Sequence, residues 1–322
     1  MKLSRFASYA WSVVVYNLGV ILWGAYVRAS GSGAGCGDHW PLCNGEVIPR
    51  IPAIETLVEF THRITSGLAL VSVIGLIIWA FRIYPHGHIV RRGAAFSVIF
   101  MVTEALLGAG LVLFELVASN ESVARVFSMS AHLINTFLLV AALTVTAAWA
   151  SGLPRPRLRG QGQLMITLYI GLGLAVLIGV TGAVIALGDT LFFAYLAKGG
   201  SETTLSAFVA TLKQLRIVHP MVAVLSSIYL GVLAWQVARL RPNPAAVPLA
   251  WALTILIGIQ MIVGVLNVYL KVPIVIQLIH LLLADLIWMS MVLICANAVA
   301  EREAVAETSS AATRLRGSPA SS

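Results

Sequence analysis

Long apolar runs dominate the chain, and short polar or basic stretches interrupt them at regular intervals. Eight runs are each long enough, at about 1.5 Å of rise per residue, to cross about 30 Å of hydrocarbon as a helix. They fall near residues 8–28, 56–83, 93–117, 125–149, 164–187, 212–238, 247–269 and 274–299. The pattern predicts an all-α membrane protein with eight transmembrane helices. The first run is too long for a removable signal peptide and lacks a small-residue cleavage site, so it is expected to stay as a span.

The stretches between the runs set an orientation. Lys2, Arg5, Arg82, Arg91, Arg92, Arg155, Arg157, Arg159, Arg239, Arg241, Arg302, Arg314 and Arg316 all fall on one side of an eight-span ladder. Lys and Arg accumulate on the cytoplasmic side, which predicts a multi-pass protein of the bacterial cytoplasmic (inner) membrane with both termini cytoplasmic. Composition agrees, with 59% hydrophobic and 11% charged residues. The net charge of +8 is mostly this topological signal. It gives no support to nucleic-acid binding, because the basic residues are spread over short loops and form no basic domain. The stretch 301–322, rich in Ala, Ser and Arg, is expected to be a disordered cytoplasmic tail.

The apolar runs repeat. Gly24-Ala25 returns as Gly182-Ala183 after 158 residues, and His62 as His219 after 157. Glu104-x-x-x-Gly108 returns as Gln260-x-x-x-Gly264 after 156, and His132 as His280 after 148. A nearly constant offset predicts two tandem pseudo-symmetric four-helix bundles, residues 1–150 and 164–300, joined by a cytoplasmic linker at 151–163. An even number of spans per half keeps both halves in the same orientation.

The repeat frames the chemistry. His62, His132, His219 and His280 each lie six or seven residues inside the start of an even-numbered span, measured from Glu55, Arg125, Lys213 and Pro273. That places all four about 10 Å below the outer surface. Imidazoles are costly in lipid without a partner, and four at one depth point to ligation of a cofactor. Two imidazoles per half, on separate parallel helices, suit bis-histidine haem ligation: His62 with His132, and His219 with His280. Zinc or copper is the rival, disfavoured because no buried Cys or carboxylate cluster accompanies the histidines. Gly67, Gly108 and Gly264 are candidates for close approach of helices or of a flat macrocycle.

Two further features concern the outer side. The first outer loop carries Cys36 and Cys43 around Trp40-Pro41, where an oxidising compartment makes a disulfide the default. A redox-active thiol pair, or a small metal site with His39, are the alternatives. Cys295, near the cytoplasmic end of the last span, reads as packing. Span two carries Glu59, His62, Arg63 and Ser66 on one stripe. Glu59 and Arg63 either pair along the helix or serve the site, Glu59 by moving protons and Arg63 by neutralising a propionate. In the C-terminal half, Arg216 stands where Glu59 would be, and Pro220 where Arg63 would be. The asymmetry suggests one reactive haem and one that stores or passes electrons. Four histidines alone would also fit a non-catalytic dihaem b-type cytochrome fed by quinol.

Over all eight spans the sequence resembles haem A synthase. The matching residues are Gly24-Ala25-Tyr26-Val27-Arg28, the loop from Ser30 to Cys36, Trp40-Pro41-Leu42-Cys43, Glu59-Phe60-Thr61-His62-Arg63, Gly264-x-x-Asn267-Val268 and the other three histidines. The resemblance implies oxidation of the C8 methyl of haem O to a formyl group, giving haem A for terminal oxidases. It implies substrate or product haem at His62 and His132, haem b at His219 and His280, and a catalytic role for Glu59. It also matches Cys36 and Cys43 to the family's outer-loop pair. Haem O synthase (protohaem farnesyltransferase) is the expected supplier and partner, with a quinol as one possible electron donor. Two departures stand out. The second cysteine pair that some members carry has no counterpart in 188–211, and Glu104 stands where an amide is expected.

Overall fold

The computed structural model describes residues 3–197, 199–201 and 205–301. Apart from Glu301, the expected tail lies outside the described residues. The described chain is helical, with α1 at Arg5–Ala29, α2 at Ile54–Ile83, α3 at Ile89–Leu113, α4 at Val123–Ala150 and α5 at Gln163–Ala197. There follow α6 at Ala207–Gln214, a 3-10 turn at Leu215–Ile217, α7 at Val218–Leu240, α8 at Ala246–Tyr269 and α9 at Ile274–Ala298. With α6 to α7 taken as one run, Ala207–Leu240, eight helices are long and apolar enough to cross a membrane. The eight-span, all-α expectation holds.

The ends of the helices follow local chemistry. Ser4, Ser122 and Ser206 accept hydrogen bonds from the backbone N–H three residues on, capping α1, α4 and α6. His88 caps α3, its Nδ1 accepting from Val90 N at 3.3 Å. Burial, with Arg155 nearby, lowers the His88 pKa and keeps that nitrogen an acceptor. This cap starts α3 at Ile89, four residues before the apolar run predicts, and takes Arg91 and Arg92 into the first turn. Pro220 has no N–H to offer the carbonyl of Arg216, and the sixth span is interrupted by the 3-10 turn at that point.

The largest departure from expectation is α5. The sequence reads as a loop from Gly188, yet the helix continues to Ala197. Leu187, Leu191 and Phe192 are buried there against Val209 and Leu212 of α6. A Cβ placed on Gly188 would lie 2.9 Å from that of Leu212, so glycine admits the neighbouring helix at this point. The segment between α5 and α7 is therefore helical over much of its described length, whereas its N-terminal counterpart, between α1 and α2, is an irregular loop.

Among the first four spans, α1 packs on α2 and α4, and α3 packs on both α2 and α4. Among the rest, α5 packs on α7 and α9, and α8 packs on both α7 and α9. The two sets meet where α4 packs on α5 and α9, and α1 on α9. In its most apolar stretch α4 is 61% buried, against 33% or less for the other spans, so it forms the central wall. Across it, Phe137 of α4 stacks on Trp288 of α9 with centroids 5.0 Å apart. Trp288 Nε1 donates to the Phe137 carbonyl at 2.7 Å. Nearer the outer side, Arg28 of α1 donates to Ala186 O at 2.8 Å, Thr190 Oγ1 at 2.7 Å and Gln277 Oε1 at 3.3 Å. The 151–163 linker is tied to the end of α9 by Arg157 N to Val299 O and Glu301 N to Arg155 O, both 2.7 Å. Outward faces carry exposed Ile99 and Leu106 on α3, and Ile255, Ile262 and Val265 on α8, as suits a lipid-facing surface.

Candidate functional site

Each of the four histidines rests against a glycine of the preceding span. A Cβ on Gly24 of α1 would stand 2.9 Å from His62 Cε1. One on Gly108 of α3 would be 3.4 Å from His132 Nε2. Those on Gly182 of α5 and Gly264 of α8 would each be 3.1 Å from a Cε1, of His219 and of His280. Glycine thus gives every imidazole a seat close against a neighbouring backbone, a use of Gly24 and Gly182 that the repeat marks without explaining. At Gly67 no neighbouring helix approaches closely, since an added Cβ there meets nothing within 4 Å.

His62 lies within electrostatic reach of His132, and His280 within reach of His219. Their hydrogen bonds differ. His132 Nδ1 is 3.0 Å from Glu104 Oε1. His219 Nδ1 is 3.0 Å from Thr181 Oγ1. His280 Nε2 is 3.4 Å from the Gln260 amide nitrogen, and its Nδ1 is buried without a partner. His62 Nδ1 is likewise buried and unpartnered. Four half-buried imidazoles with ring nitrogens unused by the protein, arranged two and two, form a donor set that fits a pair of bis-histidine haems.

Glu59 is 4% exposed, one turn outward of His62. Its Oε2 accepts from Cys36 N at 2.9 Å, and its Oε1 from Arg63 Nε at 3.1 Å and from Arg63 Nη2. Arg63 Nη1 donates to the carbonyls of His39, at 2.6 Å, and Leu42, at 2.5 Å. The pair along the helix therefore forms, and both members also hold the outer loop. Cys36 and Cys43 are joined in a disulfide and are almost fully buried. Asn44 N donates to Cys36 O at 3.0 Å, and Thr56 Oγ1 to Gly35 O at 2.7 Å, seating the loop on the start of α2. His39 pairs with Asp38 at 3.2 Å. Cys295 is free and half-buried. In the other half, Arg216 Nη2 is 3.0 Å from Asp189 Oδ1, on the stretch of α5 that the sequence reads as loop.

Sequence reasoning passes over Asp285. It is fully buried in α9, and neither carboxylate oxygen has a partner. A lone acid in an apolar span is the signal that marks it. Asn135 and Thr136, which hold Glu104, are also missed, since their roles depend on a contact between α3 and α4.

Comparison with known proteins agrees with this architecture. A "Protoheme IX farnesyltransferase" of Thermus thermophilus is 50% identical over 296 residues, which is 92% of this chain but 49% of that protein. The chain thus spans about half the length of this relative. A "Heme A synthase" of Lysinibacillus sphaericus is 25% identical over 298 residues, covering 86% of this chain and 91% of the relative. A "Heme A synthase" of Halalkalibacterium halodurans is 44% identical over 137 residues, 42% of this chain and 44% of the relative. Residues 7–292 match the profile described as "Cytochrome oxidase assembly protein", and the chain belongs to that family, COX15-CtaA.

Proposed function

We propose that this chain is a haem A synthase, a monooxygenase that oxidises the C8 methyl of haem O to a formyl group by successive hydroxylations, with dioxygen as oxidant and oxygen source, its second oxygen atom leaving as water at the expense of electrons from the donor. The observation that carries the proposal is the two pairs of glycine-seated imidazoles, of which one pair alone adjoins a buried glutamate. Haem O belongs at His62 and His132, where Glu59 holds or moves protons during the oxidation. Arg63 keeps Glu59 and the Cys36–Cys43 loop together, and the loop screens that carboxylate from water. Haem b belongs at His219 and His280, where it supplies one-electron transfer. A farnesylated haem is very apolar, so a groove between helices open to lipid suits its entry.

The proposal extends to the whole molecule. The first four spans (1–150) form the substrate half and the last four (164–300) the electron-carrying half of a tandem duplication. Both termini face the cytoplasm of a bacterial cell, supported by the Arg-rich linker and loops. The partner is a protohaem farnesyltransferase that makes haem O, supported by the match to half of a Thermus protein bearing that name. Quinol is the proposed electron donor.

The same relative favours a second reading, in which this chain itself transfers the farnesyl group. Prenyl diphosphates are commonly held through divalent cations on clustered carboxylates. The three aspartates here, Asp38, Asp189 and Asp285, lie far apart in sequence. Membranes containing the chain and a haem O supplier separate the readings by extraction and chromatography of their pigments. Haem A formed from haem O is the expected result. Recovery of haem b alone would leave a non-catalytic cytochrome, and haem O made from protohaem without the supplier would indicate farnesyl transfer.

A further inference from the structure

We infer that Glu104 is a positioning residue that fixes His132 as the permanent iron ligand of the N-terminal site and leaves His62 as the ligand that yields. The inference rests on the haem reading above and concerns how the two ligands share the work. Glu104 Oε1 lies 3.0 Å from His132 Nδ1. The carboxylate is held by two further donors, Asn135 Nδ2 at 2.6 Å and the Thr136 hydroxyl. Asn135 is itself fixed, donating to Phe100 O at 2.9 Å and accepting from Thr103 Oγ1 at 2.6 Å. A carboxylate among these donors acts as acceptor, so the proton of His132 sits on Nδ1 and the lone pair of Nε2 is left for iron. A carboxylate on the far nitrogen also strengthens imidazole as a donor and locks the ring.

The other three histidines lack this support. His219 has only a threonine hydroxyl, and His280 only an amide 3.4 Å away from its Nε2. His62 Nδ1 is buried with no partner, and its ring rests on Gly24. Of the two histidines that would share one iron, one is braced by a hydrogen-bonded network and the other has no such brace. The unbraced one shares α2 with Glu59, three residues away, so the ligand that yields would stand beside the proton-handling carboxylate. Gln260 occupies the matching place in the other half, where a ligand pair that only carries electrons has no reason to open.

The test uses the full chain loaded with haem, with the C-terminal haem as an internal control for folding. Glu104→Gln should weaken retention of the N-terminal haem about tenfold or more. It should also raise that haem's midpoint potential, since a weaker donor stabilises ferric iron less, and leave the C-terminal haem unchanged. His62→Ala should keep the N-terminal haem on His132 and let it bind carbon monoxide, whereas His132→Ala should lose it. Unchanged retention and potential in Glu104→Gln, or equal loss of haem in the two histidine variants, would overturn the inference while leaving the haem reading intact. Wild-type chain that holds no haem in its N-terminal half would overturn both.

Discussion

Glu59 has a duty that its contacts show and a proposed one in proton handling, and the two can be separated. Its oxygens accept from Cys36 N and from Arg63, so removing the side chain would disturb the loop as well as any chemistry. Glu59→Gln keeps an acceptor for the Cys36 N–H but cannot take up a proton at physiological pH. Haem content is expected to stay near that of wild type, while haem A formation falls by about 10²-fold or more. Normal turnover in that variant would reduce Glu59 to a clasp for the loop. At this scale the sequence is informative where a residue conflicts with its setting: four histidines and a Glu-x-x-His-Arg stripe stand out because polar groups are costly in lipid. The seats are harder to read. Gly24, Gly108, Gly182 and Gly264 are visible as repeats, but a glycine does not announce which side chain it admits. The brace on His132 is hidden for a similar reason, because Asn135 and Thr136 acquire meaning only when α3 lies against α4.

Helices and loops differ in how far periodicity describes them. Seven spans end within a few residues of the apolar runs at the outer or inner side, but α5 overruns its expected end by a wide margin. Gly188-Asp189-Thr190 reads as a stop signal by local propensity. Tertiary contacts override it, since Leu187, Leu191 and Phe192 bury against α6 and Asp189 gains Arg216 as an ion partner. The N-terminal counterpart has no such packing helix and relies on a covalent closure over a sequence separation of 7. Closing so short a loop stabilises it by roughly 2–3 kcal/mol in the chain-entropy account. Replacing Cys36 and Cys43 by Ser is therefore expected to leave the eight spans assembled, as judged by helical circular dichroism. Protease cleavage between residues 36 and 53 should rise by at least about tenfold. Equal resistance before and after substitution would mean that Glu59, Arg63 and Thr56 hold the loop unaided.

The whole molecule depends on contacts between the two sets of spans, and these are concentrated at α1, α4 and α9. Arg28 is the polar part of that seam, bridging α1 to α5 and α9 through three hydrogen bonds. Arg28→Gln removes a charged donor from a half-buried site and is expected to lower stability by about 1.5–3 kcal/mol. Thermal unfolding in detergent would show this as a lower midpoint, and an unchanged midpoint would assign the seam to its apolar contacts. Little of this seam is legible in the sequence. Repeat offsets relate residues of equal position within each half but do not announce which of them touch: Arg28 meets its equivalent, Ala186, 158 residues on, and also the unlike position Gln277.

The Trp288–Phe137 contact has a further consequence, for vertical alignment. Its helices, α4 and α9, are both even-numbered spans and so run in the same direction. His132 lies five residues before Phe137, and His280 eight before Trp288. The difference of three residues amounts to about 4.5 Å of helix, less than one turn. The indole leans toward the start of its own helix, which offsets much of that gap. A hydrogen bond from indole to carbonyl, buried among apolar side chains, cannot be exchanged for one to water if either helix slides. It acts as a stop against axial slippage, keeping His132 of one half level with His280 of the other.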